Sequence, residues 1–391
     1  MSFVKITLHA NKTEAVRRFH PWVFSGAIKN ISGEPNEGDV VEVTDEKGNF
    51  LGLGHYAKGS IAVRIFSFAN EKNVEQIFIQ KIEAAIALRK QIGLWQNNIT
   101  NAFRLIHGEG DDLPGLIVDV YGNTAVLQAH SKGMFQQREL IAQAIKKASA
   151  GVIENVYSKS DSALKHKEKT DGLLLGNSVC EEISEYKLLF KVDIPTGQKT
   201  GFFIDQRENR RLLARYAENK KVLNTFCYTG GFSVYAAKTG AALIHSVDSS
   251  AKATQLTNEN MVLNECANYE TFTADVFDFM NKQAANNFYD IIVLDPPAFA
   301  KNHNARHQAI QAYKRLNMVA LQKIAKGGLI FTFSCSQAVS QEMFEGAVTA
   351  ASIETGRKSK IIHRLMQPPD HPVNIFHPEG EYLKGLVLTV Q

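Results

Sequence analysis

The chain has 391 residues, 44% of them hydrophobic and 21% charged, with a net charge of +4. That length suits two or three domains of ordinary soluble composition, and the mild basicity permits a nucleic-acid partner without demanding one. No run of about 18 apolar residues occurs, so no membrane span is expected; the N-terminus lacks the apolar stretch of a secretory signal, so the cytoplasm is the expected location.

Residues 1–70 read as short strands with turns: Val40–Thr44, Phe50–Gly54 and Ile61–Phe66, with Asp45-Glu-Lys-Gly48 as a turn. Strands this short and close predict a small β-barrel. Five cations (Lys5, Lys12, Arg17, Arg18, Lys29) face one acid, Glu14, in the first thirty residues, which fits a solvated surface as well as an RNA contact. Trp22 can stack on a base or fill the barrel core. Residues 71–194 read as an α+β unit: a helix over 72–97, strands within 103–130, a helix near 134–149, and strands near 153–158 and 187–193. Lys165–Gly172 is polar and reads as a loop.

From 195 to 391 the pattern alternates. Strands at 221–227, 242–248, 269–274, 289–295 and 328–334 are separated by helices at 231–239, 250–263, 276–284 and 306–326. A helix at 340–355 precedes strands at 360–366 and 382–390. Alternation of this kind predicts a doubly wound α/β fold with a mostly parallel seven-stranded sheet. No helix joins the final two strands, so the last one should run antiparallel.

In such a sheet the ligand crevice lies at the carboxyl ends of the strands. The first strand runs through Asn224, Phe226 and Tyr228 into Gly230, a glycine turn that lets backbone approach a ligand. Asp248, followed by Ser249, ends the second strand and suits the two hydroxyls of a ribose. Asp275, followed by Val276, ends the third and suits an adenine amino group. An acid after a strand also serves as a helix cap. The turn is neither GxGxxG nor GxxxxGK[ST], which leaves an adenosine ligand without pyrophosphate, such as S-adenosylmethionine.

The next two strands end in reactive groups. Tyr289–Leu294 delivers Asp295 with Pro296 and Pro297, whose fixed backbone makes a stiff loop. Gly328–Phe333 delivers Cys335 between Ser334 and Ser336. Carbon 5 of cytosine is a poor nucleophile, but a thiolate added at carbon 6 makes it enamine-like. Cys335 is the candidate thiolate, and Asp295 the group that hydrogen-bonds the base at N3. Pro296, Pro297, Phe299 and Lys301 are the candidate base-binding residues. Cys180, Cys227 and Cys266 read as reduced, buried packing residues, and no two cysteines are spaced for a metal. His303 and His307 lack a third ligand, so no metal is expected.

These runs resemble the bacterial class I S-adenosylmethionine-dependent 23S ribosomal RNA 5-methylcytosine methyltransferases, over essentially the whole chain. His20-Pro-Trp-Val-Phe24 through Val63-Arg64 is similar to that family's PUA domain. Arg104–Asp119 is similar to the signature of its central domain. Lys199-Thr-Gly-Phe-Phe-Ile-Asp-Gln-Arg207 resembles the segment leading into the methyltransferase fold, which places Phe203 and Arg207 against the cofactor. The resemblance implies Cys335 as nucleophile, Asp295 as base-orienting acid, and large-subunit ribosomal RNA as partner. Asp370-His-Pro372 and Pro378–Gly385 resemble the family's C-terminal hairpin, beside the catalytic face. Ala298 stands where many RNA cytosine-5 methyltransferases carry a second cysteine.

Two alternatives stay open. A guanine or exocyclic-amine methyltransferase needs only the Asp-Pro-Pro loop, with Cys335 as packing. A non-catalytic RNA-binding protein needs neither. The target nucleotide and the oligomeric state, a homodimer included, are not legible.

Overall fold

The structure, a computed structural model, describes residues 3–164, 170–300 and 302–391. The chain divides into two compact units. One comprises Met1–Ile183, Val192–Ile204 and Pro369–Gly380; the other comprises Ser184–Lys191, Asp205–Pro368 and Glu381–Gln391.

The first unit contains two sheets. Strands β1 (Val4–Leu8), β2 (Trp22–Phe24), β3 (Ile28–Ile31), β4 (Val40–Thr44), β5 (Phe50–Tyr56) and β6 (Ile61–Ser67) lie in the order β2-β6-β5-β4-β1-β3, with helix α1 (Glu14–Arg17) after β1. Their alternating apolar residues, among them Ile6, Val41, Val43, Val63 and Ile65, enclose a separate core. The basic N-terminal run is largely neutralised locally: Arg17 pairs with Asp45, Arg18 with Glu14 and Lys29 with Glu46. Trp22 is neither free nor fully in the core, because its indole N–H donates to Glu109 at 2.8 Å and its ring packs on His377.

Helix α2 (Val74–Gln91), capped by the Asn73 side chain, packs with α4 (Arg138–Ala148) on the second sheet. That sheet comprises β7 (Ala102–His107), β8 (Leu116–Tyr121), β9 (Thr124–Ala129), β10 (Asn155–Ser158) and β11 (Gly172–Leu175). The helix expected near 134–149 is two helices. Ser131 caps the short α3 (Lys132–Gln136), and Gln137 at φ −90°, ψ 3° separates it from α4. Helix α5 (Asp161–Leu164) follows β10. The Arg104–Asp119 signature is structural within this unit: the two form a bidentate pair at 2.8 and 3.0 Å, and Thr200 donates to Asp119 at 2.6 Å. Asp370 accepts from the Arg104 backbone N–H at 2.9 Å. The expected C-terminal hairpin is therefore split, with Pro369–Gly380 in this unit and Glu381–Gln391 in the other.

Strands β12 (Glu182–Glu185) and β13 (Leu188–Lys191) form a small ribbon. The second unit then continues through α6 (Arg207–Ala214), β14 (Lys221–Thr225), α7 (Gly231–Lys238), β15 (Leu243–Asp248), α8 (Ala251–Leu263), β16 (Tyr269–Thr273), α9 (Val276–Lys282), β17 (Tyr289–Leu294), α10 (Arg306–Lys323), β18 (Ile324–Ser334), α11 (Gln341–Thr355), β19 (Ser359–Leu365) and β20 (Lys384–Val390). Seven of these strands form one sheet in the order β16-β15-β14-β17-β18-β20-β19, parallel except for β20, which runs antiparallel to both neighbours. The expected seven-stranded fold is the one observed. Helix α10 ends earlier than its periodicity predicts, because β18 starts at Ile324 and passes through a kink at Gly327, whose φ of 81° suits glycine.

Candidate active site

Strands β14 to β18 all release their chain at one edge of the sheet. At the first exit, after β14, Phe226 (φ 54°), Tyr228 (φ 46°) and Gly230 (φ 74°) all adopt left-handed backbone. Two non-glycine residues in that region store strain of the kind that collects at ligand loops. The Tyr228 N–H donates to one oxygen of Asp248 at 3.1 Å and the Ser250 N–H to the other at 2.9 Å, so the strand-end acid holds the two loops together. Asn224 is buried below, donating to Ser233 at 2.9 Å, which in turn bonds Ser246. Ser249 is exposed. Asp275 caps α9 through Asp278 N–H at 3.0 Å, the structural role weighed for it. The Val276 side chain is in the hydrophobic core, leaving its backbone as what it can present.

At the next two exits the loop that carries the acid and the segment that carries the thiol come together. Leu294 pairs with Thr332 across β17 and β18, and Cys335 Sγ lies 4.0 Å from the Pro296 carbonyl. The Asp295–Ala300 loop is tied to Ser-Cys-Ser by the Ala300 N–H, which donates to Ser336 Oγ at 3.2 Å; Tyr313 reaches the same oxygen at 2.9 Å. Pro296 is buried, Pro297 exposed, and Phe299 packs on Tyr313 at 4.8 Å between centroids. Lys301 lies outside the described residues.

Burial, reinforced by the like charge of Asp205, pushes the Asp295 carboxyl up to about 7, against a hydrogen bond from Gln206 and the charge of Arg210. Gln206 accepts from Asn209 at 2.6 Å through its carbonyl oxygen, which leaves its amide to serve Asp295. Arg210 is itself held by a buried bidentate pair with Glu185 at 2.8 and 2.7 Å. Tyr382 donates to one oxygen of Asp205 at 2.7 Å, and the other oxygen is buried with no partner among the described residues. An orphaned carboxylate oxygen beside this crevice fits a ligand that brings a donor, such as an amino group.

Several of these groups escaped the sequence reading. Asp205 and Gln206 lie inside the Lys199–Arg207 run, within which the sequence singles out Phe203 and Arg207. Arg207 is buried and bonds Glu208 at 3.2 Å, while Phe203 falls in the first unit. Lys384 donates to the Ser336 carbonyl at 2.9 Å while 5% exposed. Of the other cysteines, Cys227 is buried and its thiol is pushed up to about 12 by desolvation, but Cys180 and Cys266 are half-buried rather than buried.

A sheet of this order with a strained glycine turn, a strand-end acid and an Asp-Pro-Pro loop defines a class I methyltransferase fold. Residues 6–68 match the PUA-like domain and residues 119–385 match the S-adenosylmethionine-dependent methyltransferase family, to which the chain belongs. Its methyl donor is S-adenosylmethionine.

Curated relatives include ribosomal RNA large subunit methyltransferase I of Alteromonas mediterranea, 38% identical over 99% of this chain and 98% of the relative. The protein of the same name from Aeromonas hydrophila is 38% identical over 99% of each. A solved putative methyltransferase from Streptococcus mutans shares the fold, with a TM-score of 0.84 at 24% identity over 99% of this chain and 100% of that one. Among the described residues no helix is long and apolar enough to cross a membrane.

Proposed function

We propose that this protein methylates carbon 5 of a cytosine in large-subunit ribosomal RNA, with Cys335 as the covalent nucleophile. The observation that carries the reading is the placement of Cys335 Sγ 4.0 Å from the Pro296 carbonyl, across from Asp295 on the adjoining strand. Relatives at 38% identity over nearly their full length carry the name ribosomal RNA large subunit methyltransferase I, which supports the RNA substrate.

Bound S-adenosylmethionine supplies an electrophilic methyl group on a sulfonium. The protein's task is to make carbon 5 able to take it. The Cys335 thiolate forms a bond to carbon 6, and the displaced electron pair spreads over carbon 5 and N3. Cytosine N3 is an acceptor, so the group facing it must donate a proton. An Asp295 carboxyl titrating at about 7 is protonated often enough near neutrality to do that. After carbon 5 has taken the methyl group, loss of its proton to a base, cleavage of the carbon 6–sulfur bond and return of the N3 proton to Asp295 restore the ring and free the thiolate. Asp205, Gln206 and Arg210 set the state of Asp295, and the Pro296–Pro297 loop holds it in place.

Replacing Cys335 by Ser tests this. A covalent mechanism loses methyl transfer to ribosomal RNA and loses the protein–RNA adduct trapped by a 5-fluorocytosine substrate. Retention of most activity would favour the guanine or amino-group reading. Absence of S-adenosylmethionine-dependent labelling by the unaltered protein would leave an RNA-binding role alone.

A further inference from the structure

The first unit holds a polar cavity of its own. It has a volume of about 370 Å³ and lies where β5 and β6 meet the start of α3, lined by His55, Lys58, Arg64, His130, Lys132 and one acid, Glu37. Lys58 and Lys132 are exposed, and neither makes an ion pair or hydrogen bond with another described residue. Three permanent cations against one carboxylate make the cavity an attractor for anions.

Its most telling member is His55. The residue is 2% exposed, and neither ring nitrogen has a partner among the described residues. Buried polar groups are nearly always bonded, so an orphaned imidazole needs a reason. Strand register sets His55 directly opposite Arg64, and its ring packs on Phe66 at 4.8 Å. Gly133 covers it from above: a Cβ there would lie 2.2 Å from the His55 ring, so glycine is what lets α3 descend onto the imidazole. Burial, and then the charge of Arg64, push His55 down to about 3. It is therefore neutral at pH 7, with one N–H to give.

A second cavity of about 750 Å³ shares His130 and continues past Tyr157 and Lys159 to Lys199. Asp161 and Asp171 also line it, but backbone N–H groups of Thr170, Ser160 and Asp161 already occupy these carboxylates. A cationic cavity that shares His130 with a larger, mostly apolar cavity carrying an aromatic side chain suits a polyanionic strand with stacking bases better than an isolated small anion.

We propose that the cavity around His55 is a docking site for a backbone phosphate of the RNA substrate, with Lys58, Arg64 and Lys132 neutralising the phosphodiester and His55 donating its ring N–H. The proposal rests on the ribosomal RNA reading above and adds where the strand is held away from the reacting base.

The test uses the full-length protein and large-subunit ribosomal RNA. Lys58→Ala/Lys132→Ala changes two exposed side chains and leaves the fold alone, as an unchanged melting temperature and S-adenosylmethionine affinity would verify. Losing two contacts to that one phosphate reduces the slope of log K against log salt by at most about 1 and weakens RNA binding about tenfold at moderate salt. In parallel, inorganic phosphate is titrated while the His55 ring resonance is followed, with His55→Gln identifying the signal. An unchanged slope and affinity in the double variant overturns the proposal. So does phosphate binding at His55 with no effect on RNA, which would mark a free-phosphate site. If the unaltered protein does not bind the RNA at all, the ribosomal RNA reading itself fails, and the docking site with it.

Discussion

Lys384 faces Ser334 across the antiparallel β18–β20 pair and donates its ammonium to the carbonyl of Ser336 at 2.9 Å, so a buried cation brackets Cys335 from both sides in sequence. Burial pushes this ammonium below its usual range, and the charge of a Cys335 thiolate pulls it back up. The attraction is mutual: a cation held there favours the thiolate. Replacing Lys384 by Met keeps much of the volume and removes the charge. Alkylation of Cys335 by iodoacetamide should then reach half its maximal rate at a higher pH, and methyl transfer near neutrality should fall about tenfold. An alkylation profile that does not move would reduce Lys384 to a fastener of β20.

If Asp295 acts as proposed, both activity and stability should depend on pH in a definite direction. Its folded-state carboxyl titrates at about 7 against a reference of 3.8. Between those values the folded chain holds a proton that the unfolded chain has released. Stability from this group is therefore full below about 4 and is lost as pH rises through about 7, a change of roughly 4 kcal/mol in the limit of independent titration. Asp295→Asn should flatten that part of the pH–stability curve and raise the melting temperature at pH 8. The same substitution should abolish most methyl transfer, because an amide cannot pass between donating and accepting a proton. In the unaltered enzyme kcat/KM should fall on the alkaline side of about 7, and a flat alkaline limb would remove the donor role.

The legible part of this site was the part carried by single strands. An apolar run that ends in Asp-Pro-Pro, and another that ends in Ser-Cys-Ser, announce their own exits, and parallel neighbours must open at the same edge. What could not be read was anything set by register between distant segments. Lys384 meets Ser336 across 48 residues, and Tyr313 meets it from a helix face that looks like any buried aromatic position. The left-handed backbone of Phe226 and Tyr228 gives no sign either, since bulky residues are the ones least expected there. The C-terminal region is assigned to two different units, and the crossing between Gly380 and Glu381 falls inside the polar stretch Pro378-Glu-Gly-Glu381, where the composition does not change.

The Glu185–Arg210 pair carries both stability and chemistry. Both side chains are almost wholly buried, and Tyr235 donates to the same carboxylate at 3.0 Å. Replacing Glu185 by Gln strands the guanidinium charge in the interior, for which about 3–5 kcal/mol is the usual cost. The double replacement Glu185→Leu/Arg210→Met should lose far less, because no lone charge remains. Urea unfolding of the three proteins measures this directly. The double variant also deletes a cation that holds Asp295 down. Its alkaline limb of methyl transfer should therefore move to higher pH, an effect that packing alone does not produce.

Gly230 is where the loop after β14 turns into α7. Its φ is 74°, and a Cβ added there would sit 2.7 Å from Thr257 Cγ2. Thr257 cannot swing away freely, since its hydroxyl donates to the Tyr228 carbonyl at 2.9 Å within the same loop. Gly230→Ala therefore meets both a left-handed backbone penalty and a steric one, together about 2 kcal/mol. The strain should be relieved by displacing the Tyr228–Gly230 loop, which also breaks the Tyr228 N–H to Asp248 contact. Calorimetry should find S-adenosylmethionine binding weakened at least tenfold with a melting temperature lowered by only a few degrees. Gly231→Ala, whose Cβ would press instead on the Arg210 side chain at 2.8 Å, makes the comparison. If both substitutions weaken the cofactor equally, the loop's conformation at Gly230 is not what the ligand reads.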